Sequence, residues 1–535
     1  MQKPHTILVE ALHNPACYNH PVAQVKLVET HISWVFLAGK FAYKLKKPVN
    51  FGFLDFSTLR KRHHYCQEEL RLNQRFAPQL YLDVVSIGGS PEKPVIGSSP
   101  AIDYLVKMQR FSKQDELVLL LQQNRLTPPM IEEFADYLAN LHQQAPVIKR
   151  SSYFGSLESI KAPVQENFSQ IQPLLPDPVQ QRQLTELDSW SQSRFEKLHN
   201  LIVQRKKQGF IRECHGDVHL ANMIWLNGQP VLFDCIEFND NFRCIDVISD
   251  SAFLLMDLDD RGAESMSWYF LNRYLQQTGD YQALPLLNYY KSYRALVRTK
   301  VICLRLNQPD LSDSEQKLDN GLLQSYLNLA SNYMQPRKTP LIISHGFSAS
   351  GKSTFINQLA PLCGTISILS DIERKRIHGF EATSKSQSKV DAGIYTEEAA
   401  QQTYNKLLEL AETILESGFP VMVDATFLKQ HHRGQMQQLA TRLNIPFIIL
   451  DFPLSKKELF RRVELRSKQA GQVSEATSEV LKNQLEQAQP LTALEEQNII
   501  KIHPDSSPEI IATLINSRSS GHYQCKTGLS FNPQD

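Results

Sequence analysis

The chain has almost no net charge, no long apolar run and no paired-cysteine motif. Lysine plus arginine number 57 and aspartate plus glutamate 56, a balance of +1. No global field therefore draws the protein to nucleic acid or to an anionic membrane, although a local basic groove is compatible with that balance. No stretch of about 18 apolar residues occurs, which argues against a membrane-spanning helix. The opening Met1-Gln2-Lys3-Pro4-His5 leads into no long apolar segment, so no secretory signal is expected. The eight cysteines (Cys17, Cys66, Cys214, Cys235, Cys244, Cys303, Cys363 and Cys525) form no Cys-x-x-Cys pair. That argues against a structural zinc site or a redox motif, and scattered cysteines suit a reducing cytoplasm. No internal repeat or low-complexity tract is visible.

What is present is ordinary globular material. The 535 residues are 42% hydrophobic and 21% charged, which excludes disorder as the dominant state. At roughly 100–200 residues per domain, about two to four domains are expected. Ser33–Leu37 and Phe41–Leu45 flank Ala38-Gly39-Lys40 and read as a hairpin. Leu126–His142 carries apolar residues at helical spacing, and residues 281–335 read as one or two further helices. Gln335-Pro336-Arg337-Lys338-Thr339-Pro340 looks like an interdomain linker. Beyond it the short apolar runs Leu341–Ser344, Ile366–Leu369, Val421–Val423 and Phe447–Leu450 alternate with helical stretches. This is the pattern of a parallel sheet with flanking helices. The expected division is 1–335, 336–515 and a mobile tail 516–535.

Gly346-Phe347-Ser348-Ala349-Ser350-Gly351-Lys352-Ser353, with Thr354 next, matches G-x-x-x-x-G-K-[ST] between a strand and a helix. Glycines let backbone N–H groups turn in on phosphates, Lys352 can reach the β and γ phosphates, and the Ser353 hydroxyl can ligate Mg²⁺. Asp371, after the second strand, can accept a proton from a substrate hydroxyl, and Arg374 can hold a substrate phosphate or carboxylate. Ser370 and Glu373 also fit a capping box, which can coexist with that role. Val421-Met422-Val423-Asp424 is Walker-B-like, with Asp424 placed to orient the Mg²⁺ shell or simply to cap the strand end. Arg462 and Arg466 share a helix face and can close over the transferred phosphate, unless they form a solvated basic face together with Arg461.

With these residues, 340 to about 505 resembles the P-loop kinases that include polynucleotide 5′-kinases, gluconate-type kinases and zeta-toxin-like AAA-family ATP-binding proteins. The resemblance implies transfer of the ATP γ-phosphate to a small molecule or a polynucleotide end.

The first half holds a second constellation. His215-Gly216-Asp217-Val218-His219-Leu220-Ala221-Asn222 fits H-x-D-x-x-x-x-N, and the candidate strand Pro230–Phe233 is followed by Asp234. In phosphoryl transfer such a set supplies a proton-accepting aspartate and an Asn–Asp pair for Mg²⁺. A metal site on His215 and His219 and a structural polar turn are the alternatives. Lys44 in Ala42-Tyr43-Lys44 would pair nucleotide phosphates, with Lys46 on the same strand face as a competitor, and Glu68 or Glu69 could pair with that lysine. A glycine-rich G-x-G-x-x-G loop is missing, and Asp234 is followed by Cys235-Ile236-Glu237 rather than Phe-Gly, both of which argue against an ordinary protein kinase. Asp246 and Asp250 read as a helix cap and inter-segment hydrogen bonds, and His431-His432-Arg433 as a solvent-facing turn.

Residues 30–330 resemble the aminoglycoside-phosphotransferase-like kinases, through Leu138–His142, His215-Gly216-Asp217…Asn222…Asp234, Tyr43–Pro48, Phe53–Leu59 and Phe233–Phe238. The resemblance implies a bilobal protein-kinase-like fold with Asp217 as the catalytic base and Asn222 and Asp234 as metal ligands; Lys44 and Glu69 are the candidates for the nucleotide-binding lysine and its partner. The whole resembles a bacterial fusion of such a domain with a C-terminal P-loop kinase: a multi-domain α+β and α/β chain. The expectation is a cytoplasmic kinase that uses ATP and Mg²⁺ on a small hydroxylated acceptor, without nucleic acid or membrane partners. A polynucleotide-end kinase would need a basic groove near Asp371 and Arg374. A nucleotide-gated regulator, with one domain binding ATP without efficient transfer, is the alternative from a different class.

Overall fold

The computed structural model describes residues 3–52, 54–307, 311–337, 339–380, 396–467 and 478–519. Phe53, Lys338, Cys525 and the 520–535 part of the expected tail lie outside them. Contacts group the chain into two units: residues up to Asp260 with Tyr289–Ser331, and Arg261–Asn288 with residues from Asn332 onward.

The first unit opens on a six-stranded antiparallel sheet. Its strands are β1 (Val25–Glu29), β2 (Ser33–Ala38), β3 (Phe41–Lys46), β4 (Tyr81–Ser90), β5 (Lys93–Ile96) and β6 (Asp103–Gln109), in the order β1-β2-β3-β6-β4-β5. The expected hairpin is β2–β3, in register Ala38↔Phe41, with Gly39 at φ +59° in its two-residue turn. Alternation along β3 places Tyr43 and Leu45 in one apolar cluster with Trp34 and Phe36. Lys44 and Lys46 therefore share the opposite face. The helix Leu59–Asn73 is capped by Thr58, whose hydroxyl accepts from Lys61 N. It buries Arg62, Cys66, Glu69 and Asn73, a stripe at helical spacing that is mostly polar.

Helices dominate the rest of this unit, including Pro128–Gln144, Pro178–Gln208, Val247–Asp260 and Asp313–Asn332. Two small ribbons interrupt them. One pairs β7 (Ile211–Glu213) with β10 (Cys244–Asp246); the other is the hairpin of β8 (Met223–Leu226) and β9 (Gln229–Leu232).

The second unit contains the expected parallel sheet. Its strands are β11 (Leu341–His345), β12 (Ile366–Leu369), β13 (Val421–Asp424), β14 (Phe447–Asp451) and β15 (Ile499–Lys501), ordered β12-β13-β11-β14-β15. Leu341–Ile343 and Val421–Val423 are fully buried, as strands covered on both faces must be. β15 was not foreseen. The helix Glu264–Thr278 groups with this unit, and its Asn272 side chain acts as a neighbour for the edge strand β12. The amide donates to Thr365 O (2.9 Å) and accepts from Ser367 N (2.7 Å), satisfying backbone groups that an edge leaves open. The last helix runs Pro508–Ser519 and buries Ile511, Ala512 and Ile515 in the sheet's core, so residues 516–519 continue a packed helix rather than starting the tail. Among the described residues, no helix is long and apolar enough to cross a membrane.

Candidate active sites

Parallel pairing aligns the strand ends of the second unit, with Leu369 opposite Asp424 and His345 opposite Asp451. The Gly346–Ser353 loop leaves β11 at this carboxyl edge, where open α/β sheets bind ligands. Gly346 (φ +147°) and Gly351 (φ +101°) supply the backbone freedom, and Ala349 takes φ +64°. The loop is tied on several sides. Gly346 N donates to Thr426 O (3.1 Å), Ser348 N to Gln484 Oε1 (2.9 Å), and Lys352 Nζ to Phe347 O (2.8 Å). The Ser350 hydroxyl is buried with no hydrogen-bond partner among the described residues.

Ser353 Oγ donates to Asp424 Oδ2 at 2.5 Å, and Ser344 Oγ reaches Asp424 Oδ1 at 3.2 Å. Asp424 thus joins its strand end to the phosphate loop and does not act as a mere cap. Burial pushes its carboxyl up, Lys352 and Ser353 oppose the shift, and the neighbouring Asp371 reinforces it. Ser353 and Asp424 form an all-oxygen donor pair of the kind Mg²⁺ takes. Asp371 and Arg374 lie on the helix Ser370–Ile377 and pair at 2.9 Å. The capping box does not form, because Glu373 turns to Arg376 instead. Arg462 donates to Ser350 O (3.3 Å) and to Glu458 (2.9 Å), which places it against the phosphate loop. Arg461 stays on the surface with Glu458, and the Arg466 side chain lies outside the described residues. Thr354 is exposed.

In the first unit a chain of charges runs Asp234–Lys44–Glu69–Lys46–Glu237. Lys44 Nζ lies 2.5 Å from Asp234 and 2.8 Å from Glu69; Lys46 Nζ lies 2.6 Å from Glu69 and also pairs with Glu237. Both lysines, rather than one, therefore meet Glu69, while Glu68 pairs with Arg71 outside. Burial alone would lower Lys44, but Asp234 and Glu69 hold it well above its ordinary value. Burial works to raise Glu69, and the two lysines outweigh it. Asp234 adopts φ +63°, its N–H held by the Tyr81 hydroxyl (3.1 Å), while Asn73 takes the next N–H (2.9 Å).

Asp217 sits in the loop before β8. Its carboxylate accepts from Asn222 Nδ2 (2.9 Å) and lies 3.3 Å from His219 Nε2. Burial raises the Asp217 carboxyl, but His219, with His215 and Arg298 behind it, outweighs burial and carries it well below the carboxylate range. Phe233 N donates to Asn222 O (3.0 Å), bringing the asparagine beside the Asp234 turn. His215 Nε2 donates to Phe233 O and its Nδ1 accepts from Asp217 N, so His215 and His219 do not converge on a metal. The buried carboxylates of the helix Val247–Asp260 hold the loop from behind. Asp250 accepts from His215 N and Gly216 N, and Asp257 accepts from Leu220 N. Asp246 caps Ile248 N and pairs with Arg205, as expected of an inter-segment link. No glycine lies in the β1–β2 turn, Thr30-His31-Ile32.

Several supporting residues escaped sequence reasoning: Tyr81, Asn73, Arg294 (which donates to Gly216 O), Ser344 and Gln484. They lie far along the chain from the groups they hold, and no local motif marks them. His431-His432-Arg433 is no solvent-facing turn. It lies on the helix Gln430–Arg442, with His432 and Arg433 buried.

Residues 66–287 match the model of the phosphotransferase enzyme family, and residues 341–491 that of an AAA domain. The chain fuses a phosphotransferase-family domain to an AAA-family P-loop domain. Both domains are of kinase type. An uncharacterized protein of Mycobacterium tuberculosis (strain ATCC 25618 / H37Rv) is 28% identical over 473 residues, covering 87% of this chain and 91% of that one. A Mycobacterium bovis protein matches to the same extent. Among solved structures, an amicoumacin kinase in complex with AMP-PNP is similar over 61% of this chain and 96% of its own, at 12% identity and TM-score 0.40. A gluconokinase from Sinorhizobium meliloti 1021 is similar over 34% and 93%, at 20% identity and TM-score 0.25.

Proposed function

We propose that the fusion is an ATP-dependent phosphotransferase with two nucleotide-binding domains, moving the γ-phosphate to a hydroxyl of a small acceptor. The observation that carries this reading is the Ser353–Asp424 contact, with Asp371 two residues past the strand end paired to Asp424. A phosphate-loop hydroxyl, a metal-type carboxylate and a proton acceptor thereby share one sheet edge.

In the second domain Lys352 and the loop N–H groups bind the nucleotide phosphates, and Arg462 lies where it can neutralise charge. Asp371 takes the proton from the acceptor hydroxyl, and Arg374 holds Asp371 or an acidic group of the acceptor. In the first domain Lys44, fixed by Glu69, binds phosphate, and Asp217 takes the acceptor proton. Mg²⁺, when bound, neutralises charge on the β and γ phosphates; Ser353 with Asp424, and Asn222 with Asp234, are the oxygen donors that fit it.

The test is transfer from γ-labelled MgATP into the small-molecule fraction of a cell extract by wild type, Asp217→Asn and Lys352→Ala. Each substitution should remove a different labelled product. Nucleotide binding without any labelled product would overturn transfer and favour a nucleotide-gated regulator.

A further inference from the structure

The helix Glu264–Thr278 falls within the stretch that matches the phosphotransferase family, yet it groups with the P-loop sheet. One of its faces carries Trp268, Asn272 and Gln276, spaced four apart. Each meets the segment that leads into Asp371. The Trp268 ring lies where a Cβ on Gly364 (φ +61°) would come within 3.2 Å of it. Asn272 holds the backbone at Thr365 and Ser367, and Gln276 Nε2 donates to Ser367 Oγ (3.0 Å). Both amides are buried. Packing alone is served by apolar residues, whereas buried amides on this face supply partners to polar groups of an edge strand.

The contact continues past β12 onto the helix Ser370–Ile377, which carries Asp371 and Arg374. Arg376 of that helix donates to the main-chain carbonyl of Gln276 and pairs with Glu373. Glu373 is 1% exposed, so its charge needs that partner. Gly279, at φ +71°, leaves the space that Arg376 fills: an added Cβ would lie 2.7 Å from the arginine Nε. A helix of eight residues is too short to be stable by itself. It is held at its start by β12, whose Leu369 pairs beside Asp424, and at its end by the carbonyl of Gln276. The direction in which Asp371 projects is therefore set by the helix Glu264–Thr278.

We propose that Asn272, Gln276 and Arg376 are positioning residues for transfer at the P-loop site. They fix the helix that carries Asp371, so this site is completed by a helix from the phosphotransferase-family part of the chain. Proton acceptance requires the Asp371 carboxylate within hydrogen-bond reach of the acceptor hydroxyl, and an error of about 1 Å costs roughly a hundredfold in rate. The nucleotide-binding loop is tied instead by Thr426, Gln484 and Phe347. Loss of the three positioning residues therefore falls on the maximal rate and spares nucleotide affinity. The inference rests on the transfer reading above.

The test uses the full chain, γ-labelled MgATP and the small-molecule fraction of a cell extract, following the product that depends on Lys352. Glu373→Gln combined with Arg376→Met removes both charges of the pair together, so neither is left buried alone. This double variant and Asn272→Ala should each lower the maximal rate about tenfold or more, while a fluorescent ATP analogue binds with wild-type affinity. Arg376→Lys, which keeps the charge and a donor, should retain most of the rate. A wild-type maximal rate in either the double variant or Asn272→Ala would overturn the proposal. So would nucleotide affinity that falls in step with the rate in both, because that marks damage to the whole domain rather than to the placement of Asp371. If the wild type makes no Lys352-dependent product, the transfer reading itself falls and takes the proposal with it.

Discussion

Asp250→Asn is the sharpest perturbation of the first domain, because it changes one atom that holds the Asp217 loop only through the backbone of His215 and Gly216. The Asp250 carboxylate accepts from Gly216 N at 2.8 Å, His215 N at 3.0 Å and His142 Nε2 at 3.3 Å, and it is fully buried. An asparagine keeps one oxygen and turns an NH₂ toward a group that is itself a donor. At least one hydrogen bond to a charged acceptor disappears, worth about 1.5–3 kcal/mol, and the others weaken to neutral strength. The sum is about 3–4 kcal/mol. At about 2.1 cal/mol/K of unfolding entropy per residue, over a unit of roughly 300 residues, that lowers its thermal midpoint by roughly 5–6 °C. The loop carrying Asp217 also loosens, so Asp217-dependent transfer should fall at least tenfold while Lys352-dependent transfer continues. Thermal unfolding by circular dichroism and the labelled-product assay read the two effects. A midpoint within about 2 °C of wild type, with Asp217-dependent transfer intact, would refute the idea that this carboxylate organises the loop.

Gly216→Ala should fail for a backbone reason: Gly216 sits at φ +87°, and an added Cβ would lie 2.5 Å from Phe242 O. A loss of about 2–4 kcal/mol is expected in urea unfolding, and wild-type stability would contradict it. Arg433→Met removes the partner of Glu495 and the donors to Phe427 O and Leu428 O, and should destabilise the second unit by about 3–5 kcal/mol, read by calorimetry. Acid should weaken the second unit through His432, whose folded pKa is depressed by burial from 6.5 to about 4. The unfolded chain therefore binds the proton first, and this contribution is complete above pH 6.5 and lost as pH falls toward 4. At pH 5 the loss is on the order of 2 kcal/mol, and His432→Phe should escape it. Parallel midpoints for the two proteins between pH 7 and pH 5 would contradict this.

The parts readable in the sequence are those whose signals are local. The β2–β3 turn, four of the five parallel strands and the phosphate loop each carry their pattern within about ten residues. The Asp217–Asn222 and Asp234 spacing also survives, because a loop and a hairpin set it. What stayed hidden depends on distant packing. Nothing local in Glu264–Thr278 marks Asn272 as the residue that completes the edge of β12. Arg433 reads as a surface residue until Glu495, 62 positions later, is placed against it. Lys44 and Lys46 could be put on one face from strand alternation, yet only the helix Leu59–Asn73 in place shows Glu69 bridging both. β15 is three residues long, too short for a period to register.

The central claim is that one chain carries two separate nucleotide sites that serve phosphoryl transfer. Equilibrium binding of a non-hydrolysable MgATP analogue to the full chain tests it most directly, by calorimetric stoichiometry. Two nucleotides per chain are expected for the wild type, one for Lys352→Ala and one for Lys44→Ala. A single site in the wild type, abolished by either substitution alone or untouched by both, would contradict it.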